Sequence, residues 1–230
     1  MKTIIRYLAV TVLIVGLAAP GFGFDKSRQV GFSISGGLLN SAHGGFFAPT
    51  HTMSDVLDAG TNFNLGVSYG VTEIFRLEAL VDFGFASFND EVQDAAGRVP
   101  FNFGPDPTYS MLAFKLHSIT HLNPVLGTGD VVSPFVTFGL GIYSMRITDD
   151  GLGGDKISSP HNRLKEVSKT AFGLNAGVGV EFYVTPTLAI MAKGKYDLVM
   201  TDDGERFGPD FRDQGFYSFD LGFNFYFTMF

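Results

Sequence analysis

A two-residue alternation of apolar side chains with polar or small ones runs through residues 170–198. In its first half the even positions are apolar, and they are Phe172, Leu174, Ala176, Val178, Val180 and Phe182. The odd positions from Gly173 to Glu181 are glycine or polar. Because successive side chains of a β-strand point to opposite faces, this period predicts a strand with one apolar face. Pro186 predicts a turn at residues 184–187, and the alternation resumes over residues 188–198.

The same alternation occurs eight times along the chain. The predicted strands are residues 29–38, 62–71, 74–88, 109–119, 134–146, 170–182, 188–198 and 215–230. Long polar connections at residues 40–61, 89–108, 149–168 and 201–214 alternate with shorter ones. This rhythm is typical of outer-membrane barrels, in which all long loops lie at one rim. The predicted fold is therefore all-β, an eight-stranded antiparallel up-and-down transmembrane β-barrel whose first and last strands pair.

The distribution of charge predicts which face of the strands points outward. A soluble lipocalin-type barrel also has eight strands, but its apolar face points inward. In this sequence the apolar face is almost free of charge, as contact with hydrocarbon requires. The other face carries the candidate lumen-lining residues, which are Arg76, Glu78, Asp82, Lys115, His117, Glu181, Lys193, Lys195, Asp197 and Asp220.

These inward charges admit two interpretations. They could line an ion path, or they could form buried ion pairs that fill the lumen, since eight strands leave room for side chains alone. The two signs are mixed rather than arranged as a ring of one sign, which favours the filled lumen. The expected pairs are Arg76 with Glu78 or Asp82, and Lys193 or Lys195 with Glu181.

The N-terminal sequence and the amino-acid composition indicate where the protein is located and which binding partners are unexpected. Residues 1–23 match a secretory signal peptide, with two basic residues, an apolar core and small residues before the cleavage site. Residues 24–230 then form the barrel domain. The net charge of −7 makes a nucleic-acid partner unexpected, and the absence of cysteine excludes disulfides and thiolate zinc sites.

Residues 28–230 resemble the small outer-membrane β-barrel families of Gram-negative bacteria, the OmpA-barrel and OmpW-like group. The resemblance rests on residues 134–141, on the arm at residues 172–182 with its turn, and on the terminal Phe230. It implies a bacterial outer-membrane location and a C-terminal aromatic signal for the barrel assembly machinery. Tyr226, Phe227 and Phe230 are the candidates, although Phe230 is out of phase with the apolar positions before it.

Candidate catalytic and metal-binding residues are few. Ser118 lies between His117 and His121, but its parity is opposite to that of His117, so a hydrolytic site is not expected. His43, His51 and His161 lie in long connections with a spacing that matches no ligand motif. Residues 54–59 could form a short helix with Ser54 as N-cap. We expect no cofactor, no metal and no enzymatic activity.

Three functions are compatible with these sequence features. The first is a structural or adhesive membrane barrel in which the surface loops carry out the function. The second is a narrow, porin-like channel for small ionic or apolar solutes, as is suggested for the OmpW-like group. The third is a lipid-modifying enzyme. The expected partners are outer-membrane lipid and lipopolysaccharide, the assembly machinery and a small-molecule solute, and the chain is expected to be a monomer.

Overall fold

The computed structural model describes residues 26–46, 48–89, 107–128, 131–149, 151, 154–155, 166–202 and 212–228. Its strands are β1 (Gln29–His43), β2 (Gly45–Phe46), β3 (Ala48–Thr52), β4 (Gly60–Gly70), β5 (Phe75–Ser87), β6 (Thr108–His121), β7 (Val132–Thr148), β8 (Ser168–Thr185), β9 (Leu188–Met200) and β10 (Gln214–Thr228). Two helices of four residues are α1 (Met53–Val56) and α2 (Asn123–Leu126).

Eight of these strands close into one antiparallel barrel, in the order β1-β10-β9-β8-β7-β6-β5-β4. Closure comes from β1, which pairs with β4 on one side and with β10 on the other. Within β1, for example, Phe32 lies opposite Val67 on one neighbour and Phe225 on the other. The predicted eight-stranded barrel with paired first and last strands is confirmed.

The connections give the barrel two different ends. The segments at residues 44–59, 88–107, 149–167 and 201–213 leave from one end, which we call the loop end. The segments at residues 71–74, 122–131 and 186–187 leave from the other, which we call the turn end. The long and short connections therefore alternate as the sequence predicts.

The helix α1 in the first long connection starts two residues earlier than predicted. Its N-cap is Thr52 and not Ser54, because the Asp55 carboxylate accepts hydrogen bonds from both the backbone N–H and the hydroxyl of Thr52 at 2.9 and 2.8 Å. Val56 and Leu57 are buried, as the sequence indicates. The helix α2 was not predicted, and it begins with Pro124 in its first turn and ends at Gly127 in the left-handed conformation.

Along every barrel strand, exposed apolar side chains on the outer face alternate with buried side chains that point into the barrel. Phe138, Leu140 and Val178 are 62%, 48% and 64% exposed, and the apolar face of the other strands is similarly open. Such a surface is stable where hydrocarbon covers it. The described helices include none that is long and apolar enough to cross a membrane.

Aromatic rings on the inner face pack directly against glycines of neighbouring strands. A Cβ atom at Gly173 would lie 2.7 Å from Tyr143 Cε2 and 2.6 Å from the carbonyl oxygen of Leu198. A Cβ atom at Gly179 would likewise collide with the ring of Phe135. Glycine at these positions lets bulky rings lie flat inside a narrow barrel, so the interior is packed like a protein core.

Candidate functional site

The interior of the barrel contains the charged residues that the sequence singled out. All ten predicted lumen-lining side chains are buried, with between 0% and 5% of their surface exposed. They lie on β5, β6, β8, β9 and β10 and fall into three groups along the barrel axis. Charges this deeply buried are expected to be paired or hydrogen-bonded, so their partners define what the interior can do.

The largest group, the central cluster, joins Asp82, Lys115, Lys195, Asp197 and Asp220. The Asp82 Oδ2 atom accepts a hydrogen bond of 2.6 Å from each of the two lysine Nζ atoms. Lys115 also donates to Asp197 Oδ1 at 2.7 Å, and Lys195 Nζ lies 3.4 Å from Asp220 Oδ2. Three carboxylates therefore share two cations.

The central cluster spans the full width of the barrel. Lys195 is on β9 and Asp82 is on β5, and these strands are four positions apart in a ring of eight. A direct hydrogen bond between opposite walls means that side chains cross the lumen at this level. Tyr143 adds to the obstruction, because its hydroxyl donates to Asp197 Oδ1 at 2.7 Å.

A second group, the Glu181 cluster, lies closer to the turn end. The two oxygens of this carboxylate accept four hydrogen bonds, from Arg76 Nη1 at 3.1 Å and from Tyr226, Asn224 and Tyr183 at 2.7 Å each. The Arg76 guanidinium also lies 4.4 Å from the centre of the Tyr226 ring. One buried carboxylate thus holds hydrogen-bond donors from three different strands in place.

A third group lies around Glu78. Its Oε1 atom accepts a hydrogen bond of 2.9 Å from the hydroxyl of Ser33, and its Oε2 atom lies 3.3 Å from His117 Nδ1. Lys193 is 2% exposed, and the structure places it in none of the ion pairs within 4 Å that join the described residues.

The ion pairs predicted from the sequence are wrong. Arg76 binds Glu181 rather than Glu78 or Asp82, and Lys195 binds Asp82 and Asp220 rather than Glu181. Lys195 lies opposite Gly177, four residues from Glu181 along β8, which corresponds to about 13 Å along the strand. Long side chains in a narrow barrel reach across the lumen at their own height rather than along the wall.

Several buried polar atoms of the interior have no partner among the described side chains. In and beside the central cluster these include Asp82 Oδ1, Asp197 Oδ2, Asn62 Oδ1 and Asn64 Nδ2. Buried polar groups are nearly always hydrogen-bonded, to protein or to ordered water. The central cluster therefore offers acceptors for bound water between its ion pairs.

Towards the loop end the interior changes from polar to apolar, which the sequence reasoning missed. Tyr109, Met111, Met145, Ile147 and Phe216 point inward and are at most 2% exposed. From α1, the fully buried side chain of Met53 joins the same hydrophobic cluster. The signal was present, since the otherwise polar parity of β6 and β7 becomes apolar at residues 111, 145 and 147.

The catalytic and metal-binding candidates are separated from one another. Ser118 is on the outer wall, where its hydroxyl donates to the backbone oxygen of Phe138 at 3.0 Å. His117 points inward, and His121 Nδ1 lies 2.8 Å from the hydroxyl of a different serine, Ser133. Ser133 is fully buried at the turn end and also accepts a hydrogen bond of 2.7 Å from Lys26, a group that sequence reasoning missed.

No group of three acidic or histidine side chains in the described part of the chain could hold a metal ion. His43 is exposed on the barrel wall, where its Nδ1 atom lies 2.9 Å from the hydroxyl of Tyr196. The side chain of His51 and the whole of His161 lie outside the described residues.

Residues 9–227 match the family model described as the outer membrane protein beta-barrel domain. The chain belongs to this family. An outer membrane protein beta-barrel domain lies in the outer membrane, which agrees with the exposed apolar wall. A search of curated proteins finds no match.

Solved structures of other outer-membrane barrels share the fold of this family member. Neisserial surface protein A is 13% identical with a TM-score of 0.56, and the match covers 87% of this chain and 98% of that one. The outer membrane protein OprG from Pseudomonas aeruginosa is 13% identical with a TM-score of 0.50, covering 89% of this chain and 98% of that one. At such identities the likeness shows the fold, and neither name is that of an enzyme.

Two of the three candidate residues for the assembly signal of this outer membrane barrel lie on β10. Phe227 is 55% exposed on the outer wall, whereas Tyr226 points inward and is 1% exposed. The pairing of β10 with β1 stays in register up to Thr228, and Phe230 lies outside the described residues. The signal, like the predicted signal peptide at residues 1–23, stays a prediction.

Proposed function

We propose that this protein is a closed membrane anchor that presents its loop-end connections at the cell surface, rather than an open pore. The observation that carries the proposal is the interior itself. Ion pairs cross the lumen between opposite walls, and an apolar layer lies between these pairs and the loop end. In a barrel of eight strands such side chains leave little continuous space for water.

The orientation in the membrane follows from the unequal ends. Outer-membrane barrels place short turns in the periplasm and long loops outside the cell. The loop end therefore faces the exterior, and export by residues 1–23 and insertion by the barrel assembly machinery complete the proposal. The partners are outer-membrane lipid, including lipopolysaccharide, and the inserted form is a monomer.

Conductance in planar bilayers tests whether the lumen is closed. We expect the purified wild-type protein to give low and intermittent current. The double variant Lys115→Ala and Lys195→Ala removes both cations of the central cluster and should increase the conductance. An equivalent double variant on the outer wall, Leu116→Ala and Ile190→Ala, is the control and should leave the current unchanged. Large and steady ohmic current from the wild-type protein would refute the closed anchor.

A narrow channel is the second candidate, and one observation favours it. The acceptors without protein partners, such as Asp82 Oδ1 and Asp197 Oδ2, lie within the central cluster. Water bound there could form part of a hydrated path that opens when the ion pairs rearrange. Brief currents that vanish in the Lys195→Met variant would support this candidate.

We propose that the protein has no enzymatic activity, because no serine, histidine and acid meet at an accessible position in the described residues. Ser118 binds a backbone carbonyl on the outer wall, and Ser133 is completely buried. Catalysis by such a set requires the nucleophile within hydrogen-bond reach of its base and open to substrate. Hydrolysis of phospholipid or lipid A by the purified protein would contradict this proposal.

A further inference from the structure

Residues 26–28 fold under the turn end of the barrel before β1 begins, and we call them the strap. Arg28 adopts the left-handed conformation with a φ of 57°, which is uncommon for a residue other than glycine. Its backbone N–H donates to the carbonyl oxygen of Gly70 at 2.8 Å. A Cβ atom at Gly70 would collide with the carbonyl oxygen of Lys26, so this glycine lets the strap lie directly against the end of β4.

The side chain of Lys26 extends from the strap across the mouth of the barrel. Its backbone lies beside the end of β4. Its Nζ atom donates to Ser133 Oγ of β7 at 2.7 Å and lies 4.8 Å from the centre of the Tyr183 ring of β8. The strands β4 and β8 lie on opposite sides of the barrel. Lys26 is 5% exposed, so the strap places a buried ammonium group inside the mouth.

Ser133 is arranged to accept a hydrogen bond from this cation. Its hydroxyl donates to Asn123 Oδ1 at 2.5 Å, and Asn123 Nδ2 in turn donates to the carbonyl oxygen of Val132 at 2.9 Å. Because the single hydroxyl proton is used there, the lone pairs of Ser133 Oγ serve its two other neighbours, Lys26 Nζ and, at 2.8 Å, His121 Nδ1. The position of this acceptor is therefore set by residues other than Lys26.

Tyr183 provides an aromatic surface beside the same ammonium group. Its hydroxyl donates to Glu181 Oε2 at 2.7 Å, and its ring stacks on the ring of Tyr226 with 5.8 Å between the centroids. A cation is attracted to the face of an aromatic ring, most strongly where water is scarce. These contacts hold the ring without help from the strap, so the Tyr183 ring and the Ser133 hydroxyl form a pocket that does not require Lys26.

We propose that this turn-end pocket is a binding site for a primary ammonium group, and that Lys26 fills it as an intramolecular ligand. The pocket selects an alkylammonium over an uncharged group of the same length, because the cation gains both a charge-assisted hydrogen bond and the attraction to the ring. The strap closes the mouth while Lys26 is bound. When the lysine is withdrawn, a small primary alkylamine from solution takes its place, whichever end of the barrel faces the cell exterior.

Chemical rescue of a lysine variant tests the pocket. Lys26→Ala should lower the melting temperature of the protein in detergent by about 3–12 °C, the effect of losing one hydrogen bond from a charged group in a chain of this size. At neutral pH n-butylamine should restore most of this loss, whereas n-butanol, which is uncharged, should not. Arg28→Ala is the matched control, because it removes an exposed cation from the same strap, and its melting temperature should not respond to the amine.

A second measurement locates the bound amine independently of stability. In Lys26→Ala, nuclear Overhauser effects should connect the methylene protons of n-butylamine with the ring of Tyr183, and they should be absent in the wild-type protein, whose pocket is filled. The double variant Lys26→Ala and Ser133→Ala lacks the acceptor and should not be rescued. Equal rescue by butanol, an equal response of the wild type, or no contact between the amine and Tyr183 would overturn the ammonium site. A loss of stability in Lys26→Ala that the amine does not restore also overturns it, because it assigns a purely structural role to Lys26.

Discussion

Replacement of Glu181 by alanine is the sharpest test of a dry, packed interior. The carboxylate is 1% exposed and accepts hydrogen bonds from Arg76, Tyr183, Asn224 and Tyr226. Its removal leaves the Arg76 guanidinium buried without its carboxylate partner. Breaking a buried pair in this way costs about 3–5 kcal/mol, because the remaining charge is poorly solvated.

This cost predicts a large change in thermal stability. A chain of this size loses about 2–4 °C of melting temperature per kcal/mol, so Glu181→Ala should melt about 6–20 °C lower than the wild type. Asp155→Ala is the control, since Asp155 is exposed in a loop-end connection and its loss should change the free energy of unfolding by less than about 0.5 kcal/mol. The assay is thermal unfolding of the protein in detergent, followed by circular dichroism.

A second variant separates lost charge from lost packing. In the double variant Arg76→Met and Glu181→Met both charges disappear and apolar volume remains, so part of the lost stability should return. If the melting temperatures of Glu181→Ala and Asp155→Ala agree within about 1 °C, the shift is far smaller than an unpaired buried charge would cause. Water would then solvate the interior. That result would refute the packed interior and favour the channel.

Two further predictions concern the two faces of the wall. Leu140→Arg should prevent stable insertion into lipid vesicles, since arginine at the bilayer midplane costs about 2–4 kcal/mol. The control Val125→Arg, in the turn-end helix α2, should insert normally. Protease protection measures insertion, and equal insertion of both variants would mean that the apolar face of the wall points inward. Gly173→Ala should lower the melting temperature because the added Cβ atom would collide with the ring of Tyr143. At Gly194 an added Cβ atom has space, so Gly194→Ala should leave the melting temperature unchanged. Equal melting temperatures of the two variants would contradict the packing of the Tyr143 ring against Gly173.

The sequence predicts the barrel well because the strand period is a local property. Which face of a strand is apolar depends on consecutive residues, so the number of strands and the burial of Lys195 and Asp82 follow without knowledge of the neighbouring strands. The partner of each buried charge depends on strand register and barrel width. These quantities are set by all eight strands together, which is why the pairing of Arg76 with Glu181 could not be read from nearby residues.

The apolar layer and the outer-wall arginine illustrate different limits of sequence reasoning. Met111 and Met145 have the parity of the polar face, and their grouping at one height appears once the strands are aligned. Arg146 could have been recognised as an outward charge by counting parity along β7. Its neighbours Ser110 and Ser168 come from β6 and β8, so its hydrogen bond to Ser110 exists only in the folded register.

The hydrogen bond between Lys195 and Asp82 also has a mechanical consequence. A closed sheet of eight strands is held in shape by its wall and by the contacts that cross its interior. A link of 2.6 Å between opposite walls fixes one diameter, and the hydrogen bond from Lys115 to Asp197 fixes a second chord. We therefore expect these two links to resist deformation of the barrel at the level of the central cluster.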